Sequence, residues 1–125
     1  MEVNMKNILN YEKLNYIPDK LYHFTLSKNI ESIYNDSMLK ADMYGYVYLT
    51  ETIQDAEIFA NGYASIRNTN IKEFSIIEID TNEIDINLND LYISTDHNPA
   101  HFAGAKAIAY DGDLEIFDFI EYDFK

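Results

Sequence analysis

The sequence has no cysteine, one arginine, two prolines and four glycines among its 125 residues. The absence of cysteine excludes a disulfide framework, a thiolate zinc site and a cysteine nucleophile. The scarcity of glycine and proline excludes a low-complexity or collagen-like chain. Neither a glycine-rich P-loop nor a Gly-x-Gly-x-x-Gly motif is present, so we do not expect a nucleotide site of the P-loop or Rossmann kind.

Long hydrophobic runs are also missing. No apolar run approaches the roughly 20 residues that a membrane-spanning helix needs, and Met1 to Asn4 lack the basic-then-apolar start of a secretory signal. We therefore expect a cytoplasmic protein without a membrane partner. The length and the 47% hydrophobic fraction predict a single domain over residues 1–125 with a substantial core, in which residues 1–18 form an N-terminal extension.

Basic side chains are few, and the acidic ones are unevenly placed. The formal net charge is −13. Residues 1–72 hold seven bases and nine acids, whereas residues 73–125 hold two bases and thirteen acids. Such a charge repels phosphate backbones and anionic membranes, so nucleic acid is not an expected partner. The charge fits ordinary solubility or, as an alternative function, a non-catalytic acidic inhibitor that mimics DNA and binds a nucleic-acid-binding protein.

The order of apolar patterns predicts an α+β fold. Helices are expected after Ser27 and after Thr52, with both side chains acting as caps, and a short helix is expected before Pro18. The predicted strands cover residues 20–25, 46–50, 74–80, 90–94, 105–110 and 114–124. Asp111-Gly112 predicts a hairpin between the last two strands. Early helices and late strands indicate a mostly antiparallel sheet with two or three short helices.

A loop over residues 96–104 holds a candidate metal site. Asp96, His97 and His101 lie within six residues, and imidazole is a good ligand for zinc or iron. Pro99 interrupts any helix between the two histidines, so they need not share a face, and the further ligand that would complete a metal site with them is not evident. An ordinary loop without metal is therefore the expectation, although His97 or His101 remains a candidate substrate contact.

A different set of separated residues carries a family resemblance. Residues 21–25 include His23 in an aromatic strand, residues 47–51 include Tyr48, and Phe59 follows eleven residues after that tyrosine. The layout resembles the ADP-ribosyltransferase superfamily, which includes the mono- and poly-ADP-ribosyltransferases with a His-Tyr-Glu triad and, more distantly, the NAD-dependent RNA 2′-phosphotransferases. The resemblance spans roughly residues 20–120, and the strand at residues 74–80 is similar to the family's central strand.

The resemblance implies a small split-sheet domain that uses NAD as a substrate. The reaction would transfer ADP-ribose to a protein acceptor and release nicotinamide, without a metal. His23 would hydrogen-bond a ribose hydroxyl, and Tyr48 and Phe59 would stack on the nicotinamide ring. Phe24 and Thr25 would also contact NAD, with Thr25 on the adenosine side. A carboxylate would stabilise the positive charge that develops on the ribose, as in glycoside hydrolysis.

The catalytic acid has two alignments, which place either Asp113 or Glu115 in the catalytic position. The two residues lie two apart in a predicted strand and would face the same way. The chain departs from the family where its first helix ends in Asp36-Ser37, because many relatives have glycine there. Arg67 is the single arginine, so nothing matches the phosphate-binding arginines of the RNA 2′-phosphotransferases. A toxin-like NAD hydrolase, with water as the acceptor, would use the same site.

Overall fold

The computed structural model describes residues 11–94, 99–102 and 104–125. Its α-helices are α1 (Ile30–Asp36), α2 (Ile53–Arg67) and α3 (Pro99–Phe102). Its strands are β1 (Glu12–Lys13), β2 (Lys20–Leu26), β3 (Met38–Leu39), β4 (Tyr46–Leu49), β5 (Phe74–Asp80), β6 (Leu91–Ser94), β7 (Ala107–Asp111), β8 (Leu114–Glu115) and β9 (Ile120–Asp123). The predicted α+β class is confirmed. None of the helices in these ranges has the length and hydrophobicity needed to cross a bilayer.

The strands form a split antiparallel sheet. One part has the order β1-β6-β7-β4, a second has the order β2-β5-β9, and β3 pairs with β8. The first two parts meet where the Tyr22 N–H donates to the Thr50 carbonyl at 2.9 Å and the Thr50 N–H donates back at 2.8 Å. Beyond this bridge β2 pairs with β5 and β4 pairs with β7. Within the described ranges no further ladder joins β2 to β4.

The two longer helices pack on opposite faces of β2 and β5, because successive strand residues point to opposite sides. Leu21 is fully buried in a cluster that includes Ile30 and Ile33 of α1. Phe24 contacts Phe59 of α2, with ring centroids 6.5 Å apart and nearly parallel planes. β2 therefore lies between two apolar layers, which hold its backbone in place.

The two predicted helix caps have different outcomes. The Thr52 hydroxyl accepts a hydrogen bond from the Asp55 N–H at 3.1 Å, so this cap is confirmed. The Ser27 prediction is wrong, because its hydroxyl lies 2.7 Å from the Ser75 hydroxyl and caps nothing. The first turn of that segment is a 3₁₀ helix, Ser27–Asn29, which leads into α1.

The predicted hairpin at Asp111-Gly112 is wrong. β7 lies between β4 and β6, while β8 pairs with β3. A turn does occur there, with Gly112 at a φ of 102°, and its N–H donates to the Gly45 carbonyl at 2.8 Å. A hairpin with β7 is excluded because β4 and β6 pair with both of its edges. Leu114 of β8 is instead fully buried in the core that includes Ile30 and Ile33 of α1.

Two further expectations are corrected by tertiary packing. Residues 11–18 contain the short strand β1 and no helix, because β1 pairs with β6 and the following Leu14 enters the core. Pro99 begins α3 where a loop was expected. Proline is well suited to the first position of a helix, where its missing N–H costs no hydrogen bond.

We predict that Gly62→Ala destabilises the fold by about 1–3 kcal/mol, since a Cβ here overpacks a filled interior. The new Cβ would overlap the Phe102 ring and lie 2.7 Å from the His101 carbonyl oxygen. Urea unfolding followed by circular dichroism measures the change. Ser65→Ala, at an exposed position of the same helix, is the control and should change stability by less than about 0.5 kcal/mol. Equal stabilities of the two variants would contradict the packing between α2 and α3.

Candidate functional site

A cavity of about 360 Å³ lies where β2 and β4 separate. This volume is within the range of small-molecule sites. Phenylalanine and tyrosine rings form much of its wall, and we call it the aromatic cavity. Its aromatic residues are Tyr11, Tyr22, Phe24, Tyr44, Tyr46, Tyr48, Phe59 and Tyr63. The structure thus brings His23, Phe24, Tyr48 and Phe59, which the sequence analysis singled out, to one cavity.

The His23 imidazole is fixed by a hydrogen bond across the split in the sheet. Its Nδ1 lies 2.8 Å from the Tyr48 carbonyl oxygen. A carbonyl oxygen only accepts, so Nδ1 carries the proton and donates. Burial lowers the pKa of His23 below its usual 6.5, and the bond to Tyr48 opposes this shift in part. At neutral pH the ring is therefore uncharged, and Nε2 presents a lone pair that can accept a hydrogen bond.

A second cavity of about 290 Å³ adjoins the first. Thr25, Asn29 and Ser32 contribute hydroxyl and amide groups to its wall, so we call it the polar cavity. His23 and Lys40 line both cavities. The two cavities therefore share His23 and Lys40 at their border.

Tyr48 and Phe59 have different surroundings within the aromatic cavity. Phe59 is only 3% exposed and lies parallel to Phe24, so it forms a packed apolar part of the wall. The Tyr48 hydroxyl lies 3.2 Å from the hydroxyl of Tyr11. Tyr11 lies in the segment predicted to be an N-terminal extension and was not among the predicted site residues. No local pattern marks it, because its position depends on the pairing of β1 with β6.

The two predicted acids line neither cavity. The Asp113 carboxylate accepts a hydrogen bond from the Ala41 N–H at 2.7 Å. Glu115 is exposed and lies opposite Met38 in the ladder of β3 and β8. Among the described residues, the carboxylate in the wall of the aromatic cavity is that of Asp42, which the sequence analysis also missed.

The candidate metal residues are only partly described. Asp96 and His97 lie outside the described residues. His101 is exposed on α3 and lines neither of the two cavities. In the part of the chain that the structure describes, no three metal-ligating side chains form a group.

No protein-family model matches this chain, and no curated protein matches it. The resemblance to the ADP-ribosyltransferases therefore stays a prediction. The geometry of the two cavities carries the functional argument.

We predict that His23 makes the fold less stable as the pH falls below about 6.5. The unfolded histidine takes up a proton near 6.5, whereas the folded one has a lower pKa. Between these two values the unfolded state binds more protons, so stability falls with pH by up to about 1.4 kcal/mol per unit. Urea unfolding of His23→Asn between pH 7 and pH 5 should show a shallower dependence than the wild type.

His101→Asn is the matched control, because His101 is exposed and its removal should leave the slope unchanged. Parallel stability curves for the wild type and His23→Asn would contradict a neutral, partly buried His23.

Proposed function

We propose that this chain is an ADP-ribosyltransferase-like domain that binds NAD and transfers ADP-ribose to a protein acceptor, with release of nicotinamide. One observation carries the proposal. A neutral His23, held by the Tyr48 carbonyl, lies in the wall of the same cavity as the Tyr48 and Phe59 side chains. These three side chains match the order and the residue types that the resemblance assigns to NAD.

The two adjoining cavities suit a ligand with two chemically different ends. Aromatic walls favour a flat nicotinamide ring, which gains stacking and apolar burial. The polar cavity offers Thr25, Asn29 and Ser32 to sugar hydroxyls. His23 Nε2 is suited to accept from a ribose hydroxyl at the junction. Lys40, which lines both cavities, supplies positive charge for the phosphates.

The cavity also suits the chemistry of the transfer. The bond between ribose C1′ and the nicotinamide nitrogen breaks with its electron pair moving to nicotinamide, and the ribose becomes positively charged. The acceptor then bonds to C1′ and loses a proton. Holding the sugar at a fixed angle beside His23 lowers the barrier through orientation. The acidic C-terminal half favours a protein acceptor over a nucleic acid through repulsion.

A second candidate function is an acidic inhibitor of a nucleic-acid-binding protein. All four residues of β9 are exposed, and β9 lies at the edge of its sheet part. It carries Glu121 and Asp123, and partial desolvation together with a hydrogen bond to Asp123 raises the pKa of the Glu121 carboxyl. Binding that weakens steeply with salt and persists in His23→Ala would favour this function.

We predict that NAD binds the folded protein and that His23→Ala or Tyr48→Ala weakens binding about 10-fold or more. Each variant loses a polar or stacking contact, which typically contributes about 1–3 kcal/mol. Titration calorimetry measures the affinity. Tyr34→Ala removes an exposed tyrosine that lines neither cavity, so it should bind NAD like the wild type.

Transfer is tested with NAD labelled in the adenylate part and a cell lysate. A labelled protein that disappears with His23→Ala supports the transferase. Nicotinamide release without any labelled protein indicates a hydrolase. A folded wild-type protein that gives no heat with NAD at millimolar concentration rules the proposal out.

A further inference from the structure

We infer that Asp42 supplies the carboxylate for the reacting ribose and that Asp113 positions the segment carrying it. This inference rests on the proposed function. Loss of nicotinamide places positive charge on the sugar, and a nearby carboxylate stabilises that charge more than the ground state. Among the described residues, Asp42 lines the aromatic cavity, whereas Asp113 and Glu115 line neither cavity. Asp36 lines the polar cavity, where its carboxylate lies 3.9 Å from Lys40 Nζ.

The Asp42 carboxylate is preorganised by the backbone that precedes β4. Its Oδ1 accepts hydrogen bonds from the N–H groups of Tyr44 at 2.9 Å and Tyr46 at 3.2 Å. The Asp42 N–H donates to the Tyr46 carbonyl at 2.9 Å, which closes the loop. Both described bonds to the carboxylate end on Oδ1, so Oδ2 is the oxygen available to a ligand. Asp42 is exposed, so these two bonds, and not burial, hold its charge in place.

Asp113 acts on the same segment from the other side. Its Oδ1 accepts from the Ala41 N–H at 2.7 Å. Ala41 stands between Lys40 and Asp42, which both line the aromatic cavity. The bond therefore fixes the backbone between the candidate phosphate contact and the candidate acid. It gives Asp113 a role in the site although its side chain does not line the cavity.

The transfer reaction needs only NAD and an acceptor hydroxyl group or water. The C1′–N bond breaks, and its electron pair leaves with nicotinamide. The acceptor oxygen bonds to C1′, and its proton passes to the Asp42 carboxylate and then to solvent. With water as the acceptor the products are nicotinamide, ADP-ribose and a proton.

The central test compares Asp42→Asn with the wild type. Asparagine keeps an oxygen at Oδ1 for the Tyr44 and Tyr46 N–H groups, so the loop stays folded while the charge is lost. We expect an NAD Kd within about threefold of the wild type and nicotinamide release at least about 100-fold slower. Asp118→Asn removes one exposed charge that lines neither cavity and should match the wild type in both measurements.

A second pair of variants tests the positioning role. Asp113→Asn keeps the acceptor for the Ala41 N–H and should retain most of the nicotinamide release. Asp113→Ala removes the bond and should raise KM and slow release about 10-fold, because the Lys40 and Asp42 segment shifts. Rescue by the asparagine variant separates positioning from catalysis by the Asp113 charge.

The outcomes separate this inference from the proposed function. The inference is overturned if Asp42→Asn releases nicotinamide at the wild-type rate. It is also overturned if Asp113→Asn or Glu115→Gln abolishes nicotinamide release while Asp42→Asn remains active. A wild type that binds NAD but releases no nicotinamide overturns the catalytic role of Asp42 and leaves NAD binding intact. A folded wild type that does not bind NAD overturns both.

Discussion

The hydrogen bond from the His23 imidazole to the Tyr48 carbonyl is the interaction on which the site depends. β2 and β4 bond through their backbones at Tyr22 and Thr50 and then separate. A separating strand leaves carbonyls without ladder partners, and a buried carbonyl must be bonded to avoid a penalty of about 1–3 kcal/mol. The His23 imidazole donates to the Tyr48 carbonyl where a backbone N–H of a paired strand would otherwise donate. It bonds the Tyr48 carbonyl oxygen beside the aromatic cavity, which both residues line.

The same bond determines the state of the histidine. Donation to a carbonyl assigns the proton to Nδ1, and burial keeps the ring neutral. Because His23 and Lys40 line both cavities, an acceptor and a cation lie between an aromatic wall and a polar wall. The helices α1 and α2 pack against β2 from opposite faces, and His23 lies on that strand. The proposed ligand, NAD, joins a flat ring to a sugar phosphate and would place one part against each wall.

The net charge of −13 limits which anions reach the site. Long-range repulsion grows with the charge of the approaching molecule, so it acts more strongly on a nucleic acid than on a dinucleotide. Lys40 lines both cavities, and its Nζ lies 3.9 Å from the Asp36 carboxylate. The acidic surface is thus compatible with a small anionic ligand. It is equally compatible with the alternative function, an acidic inhibitor of a nucleic-acid-binding protein.

Local patterns in the sequence were sufficient for the α+β class and for the strands carrying His23 and Tyr48. The alternation of apolar and polar residues and the aromatic content of a segment depend only on residues that are close in sequence. They can therefore be read without knowing the tertiary structure. Tertiary structure alone decided that β8 pairs with β3, that Tyr11 reaches the Tyr48 hydroxyl, and that Asp42 lines the cavity. Each of these depends on contacts between distant segments, such as the bond between Ala41 and Asp113, which lie 72 residues apart. A strand's own residues do not specify its partner, because the choice depends on which apolar faces the whole chain can bury together.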